Sequence, residues 1–143
     1  MNRNERAGPP MDTRLEPIGI LHSALKARSQ APKQGAEGAP HARLEVYPWA
    51  TQALHGIRVG DKLLVITWLH AAKRDVFQVH PRSNPNQPLT GVFATRSPDR
   101  PNPLGLHPVS VRALGENFLD IGPIEAIDGT PVVDIKPVLG DEF

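Results

Sequence analysis

Arg96, Ser97, Asp99, Arg100 and Asn102 stand close together in the stretch GVFATRSPDRPNPLGL (91–106), set among Pro98, Pro101 and Pro103. Two guanidiniums, a hydroxyl, a carboxylate and an amide at such spacing can grip an anionic ligand, the guanidiniums with planar, two-pronged geometry. Each proline fixes its own φ and pushes the preceding residue into extended backbone, so Ser97, Arg100 and Asn102 are restrained before any ligand arrives. A loop already short of conformational freedom loses less of it on binding. Polar side chains on a stiff loop read as a binding site, and equally as a rigid connection between two strands.

Three more clusters hold reactive or charged side chains. They are Trp68-Leu69-His70 followed by Lys73-Arg74-Asp75, then Leu106-His107, and Asp128-Gly129-Thr130-Pro131 followed by Asp134-Ile135-Lys136-Pro137. None of the six histidines pairs at i, i+2 or i, i+4, and no H-E-x-x-H occurs, so no metal site is expected unless His70, His80 and His107 converge in space. Ser97, His107 and Asp128 could assemble a Ser-His-Asp hydrolase. No nucleophile elbow surrounds Ser97, however, and Pro98 makes that geometry awkward. Asp134 and Lys136 are two apart and face one side of a strand, as a local ion pair would. Trp68 suits a core, Asp128-Gly129 a turn, and His70 ends an apolar run where a structural histidine is common.

The elements that must carry these groups are short. Sixteen prolines and twelve glycines interrupt the chain, and no segment keeps a helix-period apolar pattern over three turns. Strand patterns appear at 18–21, 44–47, 62–69, 76–79, 91–95, 109–112, 118–121 and 132–135. Gly115-Glu116-Asn117 and Asp128-Gly129 mark tight turns. One short helix is expected at 48–54, with Pro48 at its first position and Gly56 just past its end. The expectation is all-β, a small antiparallel barrel or sandwich, with no dinucleotide fingerprint, P-loop or βαβ alternation. Residues 31–40, APKQGAEGAP, read as a linker.

Length bounds the rest. The 143 residues fit one domain, expected at 15–143 behind a disordered tail at 1–14. Absence of cysteine excludes disulfides, thiolate catalysis and Cys-type zinc sites. No apolar run is long enough for a membrane span and the N-terminus lacks an apolar signal region, so a cytoplasmic protein is expected. Residues 58–112 hold eight Lys/Arg against three Asp/Glu, and residues from 113 onward one against seven. That split suits one anion-facing surface, or neutralisation within the fold or across a dimer.

GVFATRSPDRPNPLGL followed by DGTPVVDIKP, with P-I-G-I-L-H-S and W-L-H before them, resembles the signature of the TsaA-like family, also called TrmO-like, from about Pro17 to Pro137. The resemblance implies a small antiparallel β-barrel, a homodimer, and S-adenosylmethionine bound without a Rossmann domain. It further implies methylation of N6 of threonylcarbamoyladenosine next to the tRNA anticodon. Cofactor-binding positions then fall on Gln34, Gly35, Ala36, His70, Ala71, Arg96, Leu106, Gly122, Pro123, Ile124 and Glu125. The family's histidine-glutamine pair is His70-Ala71 here, and its Pro-Arg-Gln is Pro32-Lys33-Gln34. Ser97, Arg100, Asn102, Asp128 and Lys136 match motif positions expected to build the pocket.

Methyl transfer from a sulfonium is an in-line displacement that needs alignment and water exclusion more than a protein nucleophile. Arg96 or Arg100 suits the cofactor carboxylate, Leu106 the adenine, and Asp128, His70 or His107 the acceptor proton. Arg74, Arg82 and Arg100 suit RNA phosphates. Two alternatives stand beside the tRNA enzyme: a methyltransferase acting on a small molecule or protein, and a non-catalytic barrel that binds S-adenosylmethionine or nucleic acid. The seven aromatics are few for a single-strand binder.

Overall fold

The computed structural model describes residues 12–33, 35 and 38–142. Eight strands are present among the described residues: β1 (Gly19–His22), β2 (Ala42–Val46), β3 (Lys62–Trp68), β4 (Gln78–Val79), β5 (Thr90–Gly91), β6 (Leu104–Leu114), β7 (Phe118–Gly122) and β8 (Pro131–Pro137). Six close into an antiparallel barrel in the order β1-β2-β7-β6-β3-β8, while β4 and β5 form a separate two-stranded flap. Closure removes every exposed barrel edge.

Alternation decides which side chains enter the barrel. In β6, Gly105, His107, Val109 and Val111 are buried while Leu104, Pro108 and Arg112 are exposed. Leu21, Leu44, Val65, Ile121 and Val132 reach the same interior from neighbouring staves, each with no exposed area. Burying such a branched side chain contributes about 1.5–3 kcal/mol, so these positions set the register.

The sequence patterns differ from the structure in three places. The strand expected at 109–112 runs from Leu104 to Leu114, so the Asn-Pro-Leu-Gly-Leu motif is itself the start of a stave. Pro108 is tolerated because the β6–β7 ladder ends at the Ser110–Gly122 pair, short of the proline. The strand expected at 91–95 is cut to Thr90–Gly91, since Val92–Ala94 turns into a 3-10 helix closed by Thr95 N–H donating to the Val92 carbonyl. The strand at 76–79 keeps only Gln78 and Val79. The helix at Pro48–Leu54 is present as a 3-10 helix, and Gly56 follows it with φ 99°, a conformation that costs glycine little.

Antiparallel order sends alternate connections to opposite ends. The β1–β2, β3–β6 and β7–β8 connections all emerge at one end, the mouth. These three connections, with the strand ends beside them, carry every cluster singled out above except Asp134-Ile135-Lys136-Pro137, which lies further along β8.

Candidate functional site: a cavity at the barrel mouth

The proline-braced loop 95–103 is held in place by Arg100. Its Nε donates to the Ser97 carbonyl at 2.8 Å, and its Nη2 donates to the Val92 and Thr95 carbonyls at 2.8 and 2.6 Å. Asp99 fastens the same loop to the β3 exit by accepting the Lys73 amide at 2.8 Å. Arg28, from the β1–β2 connection, then reaches across to Asp99 at 3.1 Å and to the Ala71 carbonyl at 3.2 Å. Burial pushes the Asp99 carboxyl up, but the Lys73 amide and the Arg28 guanidinium outweigh it and hold the group below its usual value.

These braces enclose a cavity of about 520 Å³. Arg28, Lys33, Arg96 and Arg100 supply positive charge to its wall, Glu125 is the single carboxylate among the described lining residues, and Leu69, Leu106, Ala126 and Ile127 give it apolar faces. Cations, one anion and apolar walls fit a ligand that carries both a carboxylate and a cationic group beside a flat ring. Arg96 is exposed and has no hydrogen bond or ion pair among the described residues, which leaves its fork available.

The cavity floor is a buried polar chain. Glu125 Oε1 accepts from His107 Nδ1 at 2.5 Å, and His107 Nε2 lies 2.7 Å from Thr67 Oγ1. His107 is 3% exposed and Thr67 is fully buried. The two meet over Gly105, where a β-carbon would collide with Thr67 Oγ1 and with the His107 ring. Glycine is therefore required by close approach rather than by backbone torsion. At the same point the β3–β8 register shifts between Ile66 and Thr67, an irregularity that re-aims side chains beside a site.

Residues 20–141 match the family described as tRNA-methyltransferase O N-terminal domain. The chain belongs to that family. It is 39% identical over 131 residues to a "Probable S-adenosyl-L-methionine-binding protein" of Methanothermobacter thermautotrophicus, covering 92% of this chain and 93% of that protein. It is 36% identical over 127 residues to a "Probable S-adenosyl-L-methionine-binding protein VirR" of Rhizobium radiobacter, covering 88% and 71%. The crystal structure of TrmO from Pseudomonas aeruginosa superposes with TM-score 0.71 at 31% identity, covering 90% of this chain and 57% of that one. A further TrmO crystal structure gives TM-score 0.74 at 30% identity, covering 93% and 61%. The chain thus spans somewhat over half of the length of these TrmO chains.

Within this TrmO N-terminal domain the expected site residues separate into groups. His70, Ala71, Arg96, Ser97, Arg100, Leu106, His107 and Glu125 line the mouth cavity. Gly35 sits against Glu125, since a β-carbon there would come within 2.9 Å of the Pro123 carbonyl and 3.0 Å of Glu125 Oε2. Gln34 and Ala36 lie outside the described residues. Gly122 and Pro123 fall outside the cavity wall, as does Ile124, which is fully buried in the barrel core.

Most of the other expected residues make contacts of their own among the described residues. Asp128, expected as a proton acceptor, accepts the Ser23 amide at 2.9 Å and pairs with Lys26 at 3.2 Å, away from the cavity. The Ser23 amide first, then Lys26, hold its carboxyl below the usual value, the reverse of what a base at neutral pH needs. His107 has both ring nitrogens engaged and no lone pair left for a substrate proton. His70 is exposed on the wall and has no partner among the described residues. Arg74 donates to the Pro101 carbonyl and to Asn102 Oδ1 and stacks on Trp68, so Arg74 and Asn102 brace the loop from outside. Lys136 pairs with Asp134 at 3.0 Å near the opposite end of the barrel. Arg82 lies in the 3-10 turn Pro81–Ser83, off the cavity wall. His80 donates to the Gln87 carbonyl, away from His70 and His107, and no three-ligand metal cluster occurs among the described residues.

Residues in or beside the cavity also escape the sequence pattern. Thr67 is the lone hydroxyl in the apolar run KLLVITWL, a signal hidden because the run as a whole reads as core. Arg28, on which no motif falls, lines the cavity, as do Ala31–Lys33 at the start of the segment 31–40 read as a linker.

Proposed function

We propose that this domain binds S-adenosylmethionine in the mouth cavity and transfers its methyl group to N6 of threonylcarbamoyladenosine next to the tRNA anticodon, working as a cytoplasmic homodimer. The observation that carries the reading is the cavity itself: three motif-bearing connections converge on one pocket whose charges match a zwitterionic, cationic nucleoside. Family membership and the relatives' names support the same ligand.

The residues present fit that cofactor. Arg96 is placed for its carboxylate, Glu125 for its cationic or hydroxyl donors, and Leu106 with Ile127 for its adenine. When bound it supplies a methyl group on positive sulfur with a neutral thioether as leaving group. The protein then has to align and to keep water out, which the pre-braced loop does at little entropic cost. His70 is assigned the proton that leaves the acceptor nitrogen, since it is the cavity histidine with an unengaged ring. A lone carboxylate near the reacting sulfonium would favour the ground state, so Glu125 is assigned to binding rather than to rate.

The homodimer has its own support. Phe93, Phe77 and Leu89 are 83%, 57% and 55% exposed, and all belong to the flap region beside the mouth. Three large apolar side chains grouped on one small projection suit an interface. Sedimentation equilibrium checks it, with a monomer at all accessible concentrations counting against it.

The function is tested by titration calorimetry with S-adenosylmethionine, followed by nucleoside mass analysis of tRNA from cells with and without the protein. Loss of one methyl from a hypermodified adenosine upon deletion supports the full reading. Label from the cofactor appearing in protein or small molecules instead supports the other methyltransferase, and tight binding without turnover supports a sensor.

A further inference from the structure

We propose that Thr67 and His107 are positioning residues that fix the charge and aim of Glu125, an inference that rests on the cofactor reading above. A carboxylate only accepts hydrogen bonds, so His107 Nδ1 carries the proton that it gives to Glu125 Oε1. The Thr67 hydroxyl is fully buried and has no other partner among the described residues, so its proton goes to His107 Nε2. A nitrogen that accepts cannot also be protonated. Thr67 thereby keeps the ring neutral, with its proton on Nδ1.

Neutrality of the ring is what matters to the cavity. Were Nε2 protonated, a buried imidazolium would sit against Glu125 and cancel its charge. With a neutral ring, Glu125 keeps a full negative charge toward the cavity, where the other charged walls are cationic. One oxygen is tied to His107, which leaves Oε2 beside Gly35 on a residue that lines the cavity. The floor therefore selects a ligand with a cationic group and defines where that group sits.

Three features of the barrel serve this chain of hydrogen bonds. Gly105 makes room for it, the β3–β8 register shift places Thr67 in line, and the β6 alternation carries His107 inward. The substitution that probes it is Thr67→Val, which keeps the shape and removes only the donor.

Nitrogen-15 NMR of the histidine rings reads the tautomer without any ligand. The wild type should show His107 protonated at Nδ1 and bare at Nε2, and Thr67→Val should lose that fixed state. Calorimetry with S-adenosylmethionine should find Thr67→Val about tenfold weaker, the size of one lost hydrogen bond in a dry site, while Thr67→Ser stays close to wild type. On a Glu125→Gln background the same Thr67→Val change should have almost no effect, because the group through which it acts has lost its charge. An unchanged tautomer with unchanged affinity overturns the proposal. So does an equal loss of affinity on the Glu125→Gln background, which would mark Thr67 as packing alone. Failure of the wild type to bind at all overturns the cofactor reading, and the nitrogen spectrum then judges the tautomer by itself.

Discussion

Replacing Arg100 by lysine isolates the bracing of the motif loop from ligand contact. The guanidinium makes three hydrogen bonds to carbonyls, to Ser97 at 2.8 Å, Val92 at 2.8 Å and Thr95 at 2.6 Å. Bonds to a charged donor contribute about 1.5–3 kcal/mol each when buried, and the half-buried site with carbonyls that water can reach argues for about 1 kcal/mol each. A lysine ammonium can satisfy about one of the three, so the loop should lose about 2 kcal/mol of local stability. Loop opening should then become about thirty-fold more frequent, since each 1.4 kcal/mol is a factor of ten. Amide hydrogen exchange reads this directly: Thr95 and Arg100, whose amides bond Val92 and Lys73 carbonyls, should exchange faster while Leu21 and Val111 do not. Wild-type exchange at Thr95 and Arg100, together with weakened ligand binding, would refute the reasoning and make Arg100 a ligand contact.

Gly105→Ala should destabilise the domain by about 3 kcal/mol, combining overpacking with loss of the Thr67–His107 bond. That corresponds to a fall in Tm of about 10 °C for a domain of this size, measurable by calorimetry. His70→Ala should lower the single-turnover rate about a hundred-fold at saturating cofactor while leaving cofactor affinity nearly unchanged, and His70→Gln should not restore it. Asp128 carries a depressed carboxyl pKa in the fold, so its stabilising contribution is present at neutral pH and disappears as pH falls through the ordinary carboxylate range into the lowered one. Urea unfolding of wild type and Asp128→Asn should therefore differ at neutral pH and converge in acid. Arg28→Ala should change stability by under about 1 kcal/mol, as exposed ion pairs do, yet speed ligand dissociation in stopped-flow traces.

The barrel was legible because its staves alternate. KLLVITWL, ARLEV and FLDIG carry their inward residues at spacing two, and Gly115 and Gly129 mark the turns at the positions where the chain reverses. The motif loop was legible as a stiff, polar segment. What spacing could not show was the direction in which its polar groups point. Arg100 and Arg74 read as ligand hooks, yet Arg100 donates to the Val92, Thr95 and Ser97 carbonyls and Arg74 to the Pro101 carbonyl and Asn102 Oδ1. His107 and Asp128 read as proton acceptors, and each is already satisfied by a group brought in from another strand or connection. Thr67 was invisible for the same reason: its partner His107 is 40 residues distant and meets it only through the β3–β6 pairing. Local chemistry can be read along a chain, but the allocation of donors to acceptors is a property of the closed barrel.

The alternation of connections between the two barrel ends carries a practical consequence. The turns at 47–61 and at Gly115–Asn117, and the outer end of β8, all lie opposite the mouth. Six steps along β8, at about 3.3 Å each, put about 20 Å of strand between Pro137 and Pro131 at the mouth end. Tags, fluorophores or surface anchors grafted there should leave ligand uptake untouched, whereas any graft at the rim enters the work of the pocket. The same distance means that a partner tethered past Pro137 must fold back along the outside of the barrel to touch what the pocket holds.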